Sequence, residues 1–493
     1  MPSRVVTVTL NYNQSKKFAL LLLPSSQPDH DRDTILREAR NKFRVKVSSV
    51  FLPGGITLSE GERLPQLVSQ IWVAKGEPYA GPPGGADESS ASFDAELVLI
   101  RCVLSAPVMW RWTIIMGLSG KSYLDDKAIE QLKLVGRLPG VLRVVGLPDL
   151  HPGSRFPIGC AIAAEGIWPA LIGSDVGCGI ALYELSARPK STLNPTKLAL
   201  ALRGLEEPWA GDVSAWLSNY GITRVSAFDA GSLGTVGAGN HFAEICTVER
   251  IVDETVAVQL GVLADGLYLL VHTGSRGLGA FILSAETATN SNPYIEPESP
   301  HLPEYLNEHD YAVCWAVANR DLVAHRIQQC IMPSTPEGGP RLRLSKILDV
   351  THNSVTKHAL SIGDTTRDLW VHRKGAAPAD QGIAPCPGSR GDFSWLLQPT
   401  GDGQNNARSL AHGAGRRYGR NVLHTGSKIN KASLTNTDLG SVVICEDPDL
   451  LIEEQPEAYK DVACVVEDME DNGICKGVVV LRPVVTYKVR RER

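Results

Sequence analysis

The sequence lacks the cysteine spacing of a zinc ribbon or of a disulfide framework. Its 493 residues include ten cysteines, but no two of them form a C-x-x-C pair and their spacing is irregular. This pattern argues against both kinds of scaffold and favours a reducing compartment. We therefore expect a cytoplasmic or nuclear protein.

A long apolar run is also missing. The most lipophilic stretch, residues 102–120, is divided by Arg111 into two parts that are too short to span a bilayer. The first residues contain no apolar run that ends in a small-residue cleavage site. We expect neither a membrane anchor nor a signal peptide.

The chain has no strong net charge. It carries 49 lysines and arginines against 54 acidic residues, which gives a net charge of −5. A nucleic-acid site would therefore have to be a local basic patch. The hydrophobic content of 43% is normal for a globular protein.

Three segments of the chain differ in composition and in hydrophobic pattern. Residues 1–80 contain strand-like runs around one helical segment, which predicts a small β-grasp-like module. Residues 81–119 begin as a Gly/Pro/Ser-rich linker and continue as an apolar stretch without firm assignment, for which a docking strand is one interpretation. In residues 120–493, helical segments alternate with strand-like runs that end in glycine-rich turns, which predicts an α+β catalytic domain.

The first chemically distinctive turn, "GSDVGCG", places Asp175 and Cys178 among three glycines. A carboxylate and a thiolate at this spacing could share one cation, and the glycines permit a sharp turn around it. The alternative is that Cys178 is a buried cysteine that acts as a small hydrophobic residue.

Three histidines lie at the ends of apolar runs: His241 in "GNHFAEI", His272 in "LYLLVHTGSRG" and His352 in "ILDVTHNSV". A single histidine at a strand end is commonly structural. Together with Asp175 and Cys178, however, the three would make five ligands suited to zinc or manganese, including two ions bridged by the thiolate.

The stretch "GNHFAEI" has a second implication. If a strand begins here, His241 and Phe242 point to opposite faces, whereas Asn240, Phe242 and Glu244 share one face. One face could then bind a metal and the other a nucleotide base. The alternative is a turn asparagine beside a hydrogen-bonded core histidine.

The stretch "SLAHGAGRRYGR" places His412 in a glycine-rich turn that is followed by arginines at 416, 417 and 420. It is either a solvated loop or a histidine held beside a cluster of anion-binding groups. The turn "PGSRGDFSW", residues 387–395, also has two interpretations. It could hold a phosphate or a base edge, or it could be a surface turn.

Taken in order, these motifs resemble the RtcB family of RNA-splicing ligases. The resemblance runs from about residue 120 onward and also includes "LPGVLRVVGLPDLHPGSRFPIG", "RKGA", "PEAYKDV" and "VVVLRPVVTYK". It implies an RtcB-like fold with mixed and antiparallel sheets around a central metal site. Residues 1–80 lie outside it, and their element order is similar to that of ubiquitin-like and doublecortin-like modules.

The resemblance implies an RNA ligase that uses GTP and two manganese ions. Such an enzyme joins 2′,3′-cyclic-phosphate or 3′-phosphate ends to 5′-hydroxyl ends through a GMP-histidine intermediate, in tRNA splicing or RNA repair. The implied partners are the RNA and an activating protein, and we expect residues 1–80 to dock a further protein.

The resemblance also implies a role for individual residues. The guanylated residue would be His412, and the metal ligands would be Asp175, Cys178, His241, His272 and His352. The GTP-binding residues would be Asn240, His241, Phe242, Ala243, Glu244, His352, Asn353, Pro387, Gly388, Ser389, Arg390, Ser394, His412, Gly413, Ala414, Gly415, Tyr459 and Lys488. The residues at phosphates or at the RNA end would be Asp149, Arg276, Arg416 and Arg420.

The chain departs from the common family pattern at Ala411, Thr351 and Gly419, and none of these departures removes an implied ligand or the nucleophile. Two other functions stay open at this point. One is a metal-dependent phosphoesterase that opens cyclic phosphates without sealing, and the other is a catalytically silent nucleotide-bound adaptor for RNA or protein. The intact His412 favours the ligase over the phosphoesterase, because a hydrolase does not need it.

Overall fold

A computed structural model divides the chain into two compact units, Met1–Leu97 and Val98–Arg493. The structure describes residues 4–11, 16–22, 30–52, 57–59, 64, 70–77, 79, 113–116, 121–185, 194–202, 205, 207–288, 290, 292–331, 344–419 and 434–488. Within these residues, no helix is long and apolar enough to cross a membrane.

The first unit is a four-stranded sheet that packs against one helix. Its elements are β1 (Arg4–Leu10), β2 (Lys17–Leu22), α1 (His30–Phe43), β3 (Ser49–Phe51) and β4 (Gln70–Ala74). The strand order is β2-β1-β4-β3, and β1 and β4 run parallel. Ile35 and Ala39 of α1 share a buried core with Val6, Val8 and Val73 of the sheet. The likeness of this unit to a β-grasp module stays a prediction.

The second unit contains both strands and helices. Its strands are β5 (Thr113–Met116), β6 (Val141–His151), β7 (Ile158–Ala164), β8 (Gly179–Glu184), β9 (Phe242–Ile251), β10 (Leu267–Thr273), β11 (Ser345–Thr351), β12 (Asn353–Ile362), β13 (Thr365–Lys374), β14 (Ala376–Pro378), β15 (Ala384–Pro387), β16 (Ser394–Pro399), β17 (Ser409–Ala411), β18 (Val442–Ile444) and β19 (Cys475–Tyr487). Its helices are α2 (Asp126–Val135), α3 (Pro195–Ala201), α4 (Val213–Ser218), α5 (Asp229–Ser232), α6 (Glu254–Gln259), α7 (Gly277–Glu286), α8 (Leu302–Ile331), α9 (Pro448–Glu453) and α10 (Val462–Asp471).

The described strands of this unit form three sheets. The largest has the order β11-β8-β10-β9-β19-β16-β15, with β18 added on β19. The second has the order β12-β13-β7-β6-β5, and β14 and β17 form a separate pair. Most pairings are antiparallel, although β18 runs parallel to β19. The predicted α+β class with mixed and antiparallel sheets is therefore confirmed.

One strand lies in the segment that had no firm assignment. β5 pairs in parallel with β6 at the edge of the second sheet, with Thr113 opposite Arg143. The other residues of 81–119 lie outside the described residues.

The large sheet is buried on both faces because its strands alternate between two cores. Leu269 and Val271 of β10 pack with Val323 of α8 in one core. Tyr268 and Leu270 of the same strand pack in a second core on the opposite face. An apolar strand with a side-chain period of two satisfies both cores at once. The strands that lead to the site are therefore packed on both faces.

Helices α2 and α8 pack against the sheets of this unit. Asp125 caps α2 by accepting a hydrogen bond from the Lys127 backbone N–H at 2.8 Å, and the apolar face of α2 buries Leu132 and Val135. Helix α8 is 30 residues long. Its middle packs against the large sheet, close to the strand ends that form the site.

Candidate metal and nucleotide site

Four neighbouring strands bring the predicted cysteine and histidine ligands to one edge of the large sheet. β8 and β9 begin directly after Cys178 and His241, whereas β10 contains His272 near its end and β11 ends just before His352. In the sheet, β11, β8, β10 and β9 are adjacent and antiparallel. The starts of two strands therefore meet the ends of the other two.

The five predicted ligands lie within a few ångströms of one another. The Cys178 Sγ is 3.3 Å from the His241 Nε2 and 3.4 Å from the His272 Nε2. The His272 Nε2 is also 3.3 Å from the His352 Nε2. The Asp175 Oδ2 lies 2.8 Å from the His241 Nε2. The structure therefore brings together all the residues expected to hold metal.

The electrostatics of this cluster fit a cation. Burial, together with the neighbouring imidazoles, lowers the pKa of His272 and of His352 well below the usual histidine value. Burial alone would raise the pKa of Asp175, but the adjacent His241 and Cys178 lower it overall. Among the described residues, the buried Asp175 Oδ1 has no hydrogen-bond partner. Neutral imidazole nitrogens that face one another beside an ionised carboxylate form a donor set that a metal ion would satisfy.

His412 lies next to this cluster and is held by a carboxylate. It follows β17, and its Nδ1 is 2.7 Å from the Asp149 Oδ2. The same carboxylate oxygen accepts the backbone N–H of His412 at 3.2 Å. The ring centroid of His412 is 4.6 Å from that of His352. Because Nδ1 is engaged with Asp149, Nε2 is the nitrogen available to react.

The cluster and His412 open into one cavity of about 1230 Å³, which both His272 and His412 line. A cavity of this size accommodates a nucleotide. The residues predicted for GTP or phosphates that also line it are Asn240, Phe242, Glu244, Pro387, Gly388, Ser389, Arg390, Gly413, Ala414, Gly415, Arg416, Tyr459 and Lys488.

The first residues of β9 separate the metal cluster from the cavity wall. His241 faces the cluster, whereas Asn240, Phe242 and Glu244 line the cavity. This is the arrangement that strand alternation predicts. Burial raises the pKa of Glu244 to about 7, and the Thr486 hydroxyl donates a hydrogen bond to its carboxyl group.

Five residues expected at the nucleotide do not line the cavity. Two of them, His241 and His352, belong to the metal cluster. The Asn353 side chain instead joins two loops, since it donates to the Asp175 carbonyl at 3.1 Å and accepts from the Gly375 N–H at 2.7 Å. Ala243 lies inside β9 and Ser394 begins β16, and both are buried.

The predicted arginines occupy different surroundings. The Arg390 guanidinium donates to the backbone carbonyls of Leu434, Leu451 and Glu454, so its charge is used within the fold. Arg276 has a positive φ of 57° at the start of α7, a strained conformation that is common at functional sites. Arg420 lies outside the described residues.

Glu454, a buried carboxylate that the sequence did not predict at the site, contacts three residues that line the cavity. The Glu454 Oε1 accepts a hydrogen bond from the Arg416 Nη1 at 2.9 Å. Its Oε2 accepts from the Tyr459 hydroxyl and lies 3.4 Å from the Lys488 Nζ. No motif marks Glu454, because its partners come from distant parts of the chain.

Two lysines near the site were also missed. The Lys374 Nζ donates to the Phe156 carbonyl at 3.3 Å on the cavity wall, and burial lowers its pKa. The Lys460 Nζ donates to the carbonyls of Pro148 and Leu150, at 2.7 Å each, on either side of Asp149. The motifs "RKGA" and "PEAYKDV" contain these lysines and were the available signals.

Sequence comparison identifies the family. The family model described as "tRNA-splicing ligase RtcB" matches residues 131–213 and 214–489. The chain belongs to the RtcB family. The resemblance found in the motifs is therefore confirmed, and the chain is an RNA ligase of the RtcB type.

Individual RtcB relatives extend this match over most of their own length. The chain is 40% identical to the RNA-splicing ligase RtcB2 of Escherichia coli over 375 residues, which cover 74% of this chain and 93% of that protein. It is 31% identical to the tRNA-splicing ligase RtcB of Pyrobaculum aerophilum over 448 residues, which cover 74% of this chain and 91% of that protein. Identity to the tRNA-splicing ligase RtcB of Aeropyrum pernix is 27% over 441 residues, or 74% of this chain and 92% of that protein.

Proposed function

We propose that this chain joins RNA 2′,3′-cyclic-phosphate or 3′-phosphate ends to 5′-hydroxyl ends through guanylylated His412, in tRNA splicing or RNA repair. The observation that carries the proposal is the pairing of His412 with Asp149 beside the Cys/His cluster, in a cavity large enough for GTP. A hydrolase that opens cyclic phosphates would need the cluster but not a carboxylate-oriented imidazole nucleophile.

Asp149 sets the tautomer of His412 for the first step. The Asp149 carboxylate accepts a hydrogen bond from the Nδ1–H of His412, so the proton stays on Nδ1 and the lone pair is on Nε2. Nε2 attacks the α-phosphorus of GTP, so that a P–N bond forms and the bond to the β-phosphate oxygen breaks. Pyrophosphate leaves, and GMP stays on His412.

Asp175, Cys178, His241, His272 and His352 would hold two manganese ions, since this ion accepts mixed nitrogen, oxygen and sulfur donors. When bound, the ions would neutralise phosphate charge and stabilise charge on the transferring group. The imidazoles and the carboxylate would fix the position of that charge next to His412.

One part of the cavity wall suits guanine. The base carries N–H donors on one edge and the O6 acceptor beside them, which complement a carboxyl group and an ammonium group respectively. Glu244 and Lys488 provide these groups on the wall, and the rings of Phe242 and Tyr459 provide apolar surface. We therefore assign this part of the cavity to the guanosine of GTP.

The later steps use the same space. Water opens a cyclic phosphate at the P–O2′ bond, and an oxygen of the resulting 3′-phosphate then displaces His412 from the GMP phosphorus. The 5′-hydroxyl oxygen next attacks the activated 3′-phosphorus, its proton is released, and GMP leaves. Arg276, Arg416 and Lys374, with Arg420, are the cations we assign to the phosphates.

The test uses the full chain, Mn²⁺ and GTP labelled at the α-phosphate, followed by denaturing electrophoresis. We expect an acid-labile label on the wild type and on His301→Ala, an exposed-histidine control, and none on His412→Ala. RNA with cyclic-phosphate and 5′-hydroxyl ends should then be sealed. Opening of the cyclic phosphate by a folded, metal-loaded protein that never becomes labelled would instead establish the phosphoesterase.

Residues 1–80 carry a separate proposal. We infer that this segment docks a protein partner, because it forms its own core and lies outside the region matched by the family model. The cytoplasmic or nuclear location stays a prediction from cysteine usage.

A further inference from the structure

One side chain in the middle of α8 bonds to three of the loops that carry the metal ligands. Arg320 is fully buried, and its Nη1 donates to the carbonyl of Gly177 at 2.9 Å and to that of Thr273 at 3.1 Å. Its guanidinium also pairs with Asp349 at 2.7 Å and contacts the Thr351 hydroxyl at 3.4 Å. Gly177 lies directly before Cys178, Thr273 directly after His272 and Thr351 directly before His352.

The preceding residue connects the fourth loop. Asn319 is also fully buried, and its Oδ1 accepts the Gly234 N–H at 2.7 Å. Its Nδ2 lies 3.2 Å from the Thr235 carbonyl oxygen and 3.3 Å from that of Gly274. It therefore joins the loop that leads to His241 with the loop that follows His272.

Helix α8 approaches the Cys178 loop so closely that positions 177 and 179 have no room for a side chain. A Cβ on Gly179 would lie 3.0 Å from the Arg320 Cζ and 2.6 Å from the Val350 carbonyl oxygen. A Cβ on Gly177, where φ is +83°, would lie 2.9 Å from both the Ala312 carbonyl oxygen and the Ala316 Cβ. Side chains at these positions would push the helix off the ligand loop.

We propose that Asn319 and Arg320 are positioning residues for the metal centre, acting as a clamp that holds the four ligand-bearing loops in binding geometry. The clamp rests on the metal site of the proposed function, and none of its atoms is itself a predicted ligand. The adjacent strands bring the donors together, and the clamp would fix the loops from which the donors project before a cation arrives. Groups that orient metal ligands from outside typically change metal affinity by about 10- to 100-fold when removed.

The test compares two buried arginines in the full chain. Arg320→Lys keeps the charge but loses the planar fork that bonds several carbonyls at once. Arg143→Lys is the matched control, because the Arg143 guanidinium likewise bonds the carbonyls of Ser361 and Gln404, neither of which adjoins a predicted ligand. Co²⁺ serves as the probe, since its d–d absorption and its thiolate charge-transfer band report ligand geometry directly.

Metal-free protein is titrated with Co²⁺, and the unfolding temperature of each metal-free variant is measured in parallel. We expect Arg320→Lys to bind Co²⁺ about 10-fold or more weakly than wild type, with an altered thiolate band. Arg143→Lys should retain wild-type affinity and spectrum whatever its unfolding temperature. Wild-type affinity and spectrum in Arg320→Lys, or equal weakening in both variants, would overturn the clamp.

A second variant covers the case in which Arg320→Lys does not fold. Asn319→Asp is isosteric and keeps the acceptor for Gly234, but it replaces the donor that faces Thr235 and Gly274 with an oxygen. It should also weaken Co²⁺ binding.

If neither variant folds, hydrogen exchange on the wild type is the deciding measurement. Binding of Co²⁺ should then protect the amides of residues 316–323 together with those of the ligand loops. If Co²⁺ protects only the amides of the ligand loops from exchange, the clamp proposal is wrong. If the wild type binds no Co²⁺, the proposed metal site is itself wrong.

Discussion

The Asp149 carboxylate accepts hydrogen bonds from both the Nδ1 and the backbone N–H of His412, at 2.7 and 3.2 Å. One acidic side chain therefore fixes both the ring and the chain position of the proposed nucleophile. Asp149 is itself fully buried in β6, between two carbonyls that bond to Lys460. The orientation of His412 thus depends on a different sheet from the one that carries the metal cluster.

Asp149→Asn should slow guanylylation of His412 without unfolding the protein. The amide has the same shape but cannot hold Nδ1 as a donor with equal strength, so the imidazole loses its tautomer and orientation. We expect the single-turnover labelling rate to fall by a factor of about 10² to 10⁴. The rate is measured with α-labelled GTP at saturating Mn²⁺, and His412→Ala gives the background level of labelling. A wild-type rate would show that Asp149 does not orient the nucleophile.

Removal of the metal should lower the stability of the second unit. Mn²⁺ at 100 times its dissociation constant should stabilise the folded state by about 2.7 kcal/mol relative to a chelated sample. Cys178→Ala should lose most of this gain because the thiol is central to the cluster. Cys464→Ala, on α10, is the control and should keep it. Thermal unfolding with and without EDTA measures the effect, and an equal gain in both variants would exclude Cys178 as a ligand.

Glu454→Gln should affect both stability and GTP binding. The substitution leaves the partly buried Arg416 and the buried Lys488 without their charged partner, which costs about 3 kcal/mol of unfolding free energy. Because Tyr459 and Lys488 also lose their anchor, we expect the dissociation constant for GTP to rise about tenfold. Urea unfolding and a GTP titration measure these effects.

The matched control for this prediction is Glu457→Gln, which makes the same charge change at an exposed position. It should leave both quantities near the wild-type values. Identical behaviour of the two variants would mean that Glu454 has no organising role in the cavity.

Glu244 should make the stability of the metal-free protein depend on pH. Burial raises its pKa from 4.5 to about 7, so the folded state binds this proton more tightly than the unfolded state does. The associated stability, about 3 kcal/mol, is present in full below pH 4.5, declines as the pH rises toward 7 and is absent above it. Glu244→Gln removes this dependence, since the amide does not titrate.

The measurement is the unfolding free energy of wild type and Glu244→Gln between pH 5.5 and pH 8. The wild type should lose stability relative to the variant as the pH rises across this range. Parallel curves for the two proteins would contradict the raised pKa.

The identities of these site residues could be predicted because each one is marked locally. Cys178, His241, His352 and His412 each adjoin glycine or asparagine beside an apolar run, and His272 ends an apolar run two residues before Gly274. Their order along the chain then matches the RtcB family. The tight grouping of the five ligands follows from the adjacency of β11, β8, β10 and β9, which no local signal specifies.

Residues that act through backbone carbonyls could not be predicted in this way. Arg320 and Asn319 lie inside a helix, and their partners are main-chain atoms from loops far away in sequence. Arg390 is a related case, because its glycine-rich motif gave no sign that its guanidinium bonds to three carbonyls of the fold. Its role at the nucleotide stays a prediction. Glu454 carries no motif at all.

The position of β19 has a consequence for how the protein is made. This strand, Cys475–Tyr487, lies between β9 and β16, so the large sheet is interrupted until it arrives. During synthesis, β9 is translated long before β19. Until β19 is made, the edge of β9 presents unpaired backbone N–H and C=O groups to other chains. We therefore expect the nascent protein to need shielding by chaperones on the ribosome. Any messenger that stops before Cys475 should yield an aggregating fragment rather than a weaker enzyme.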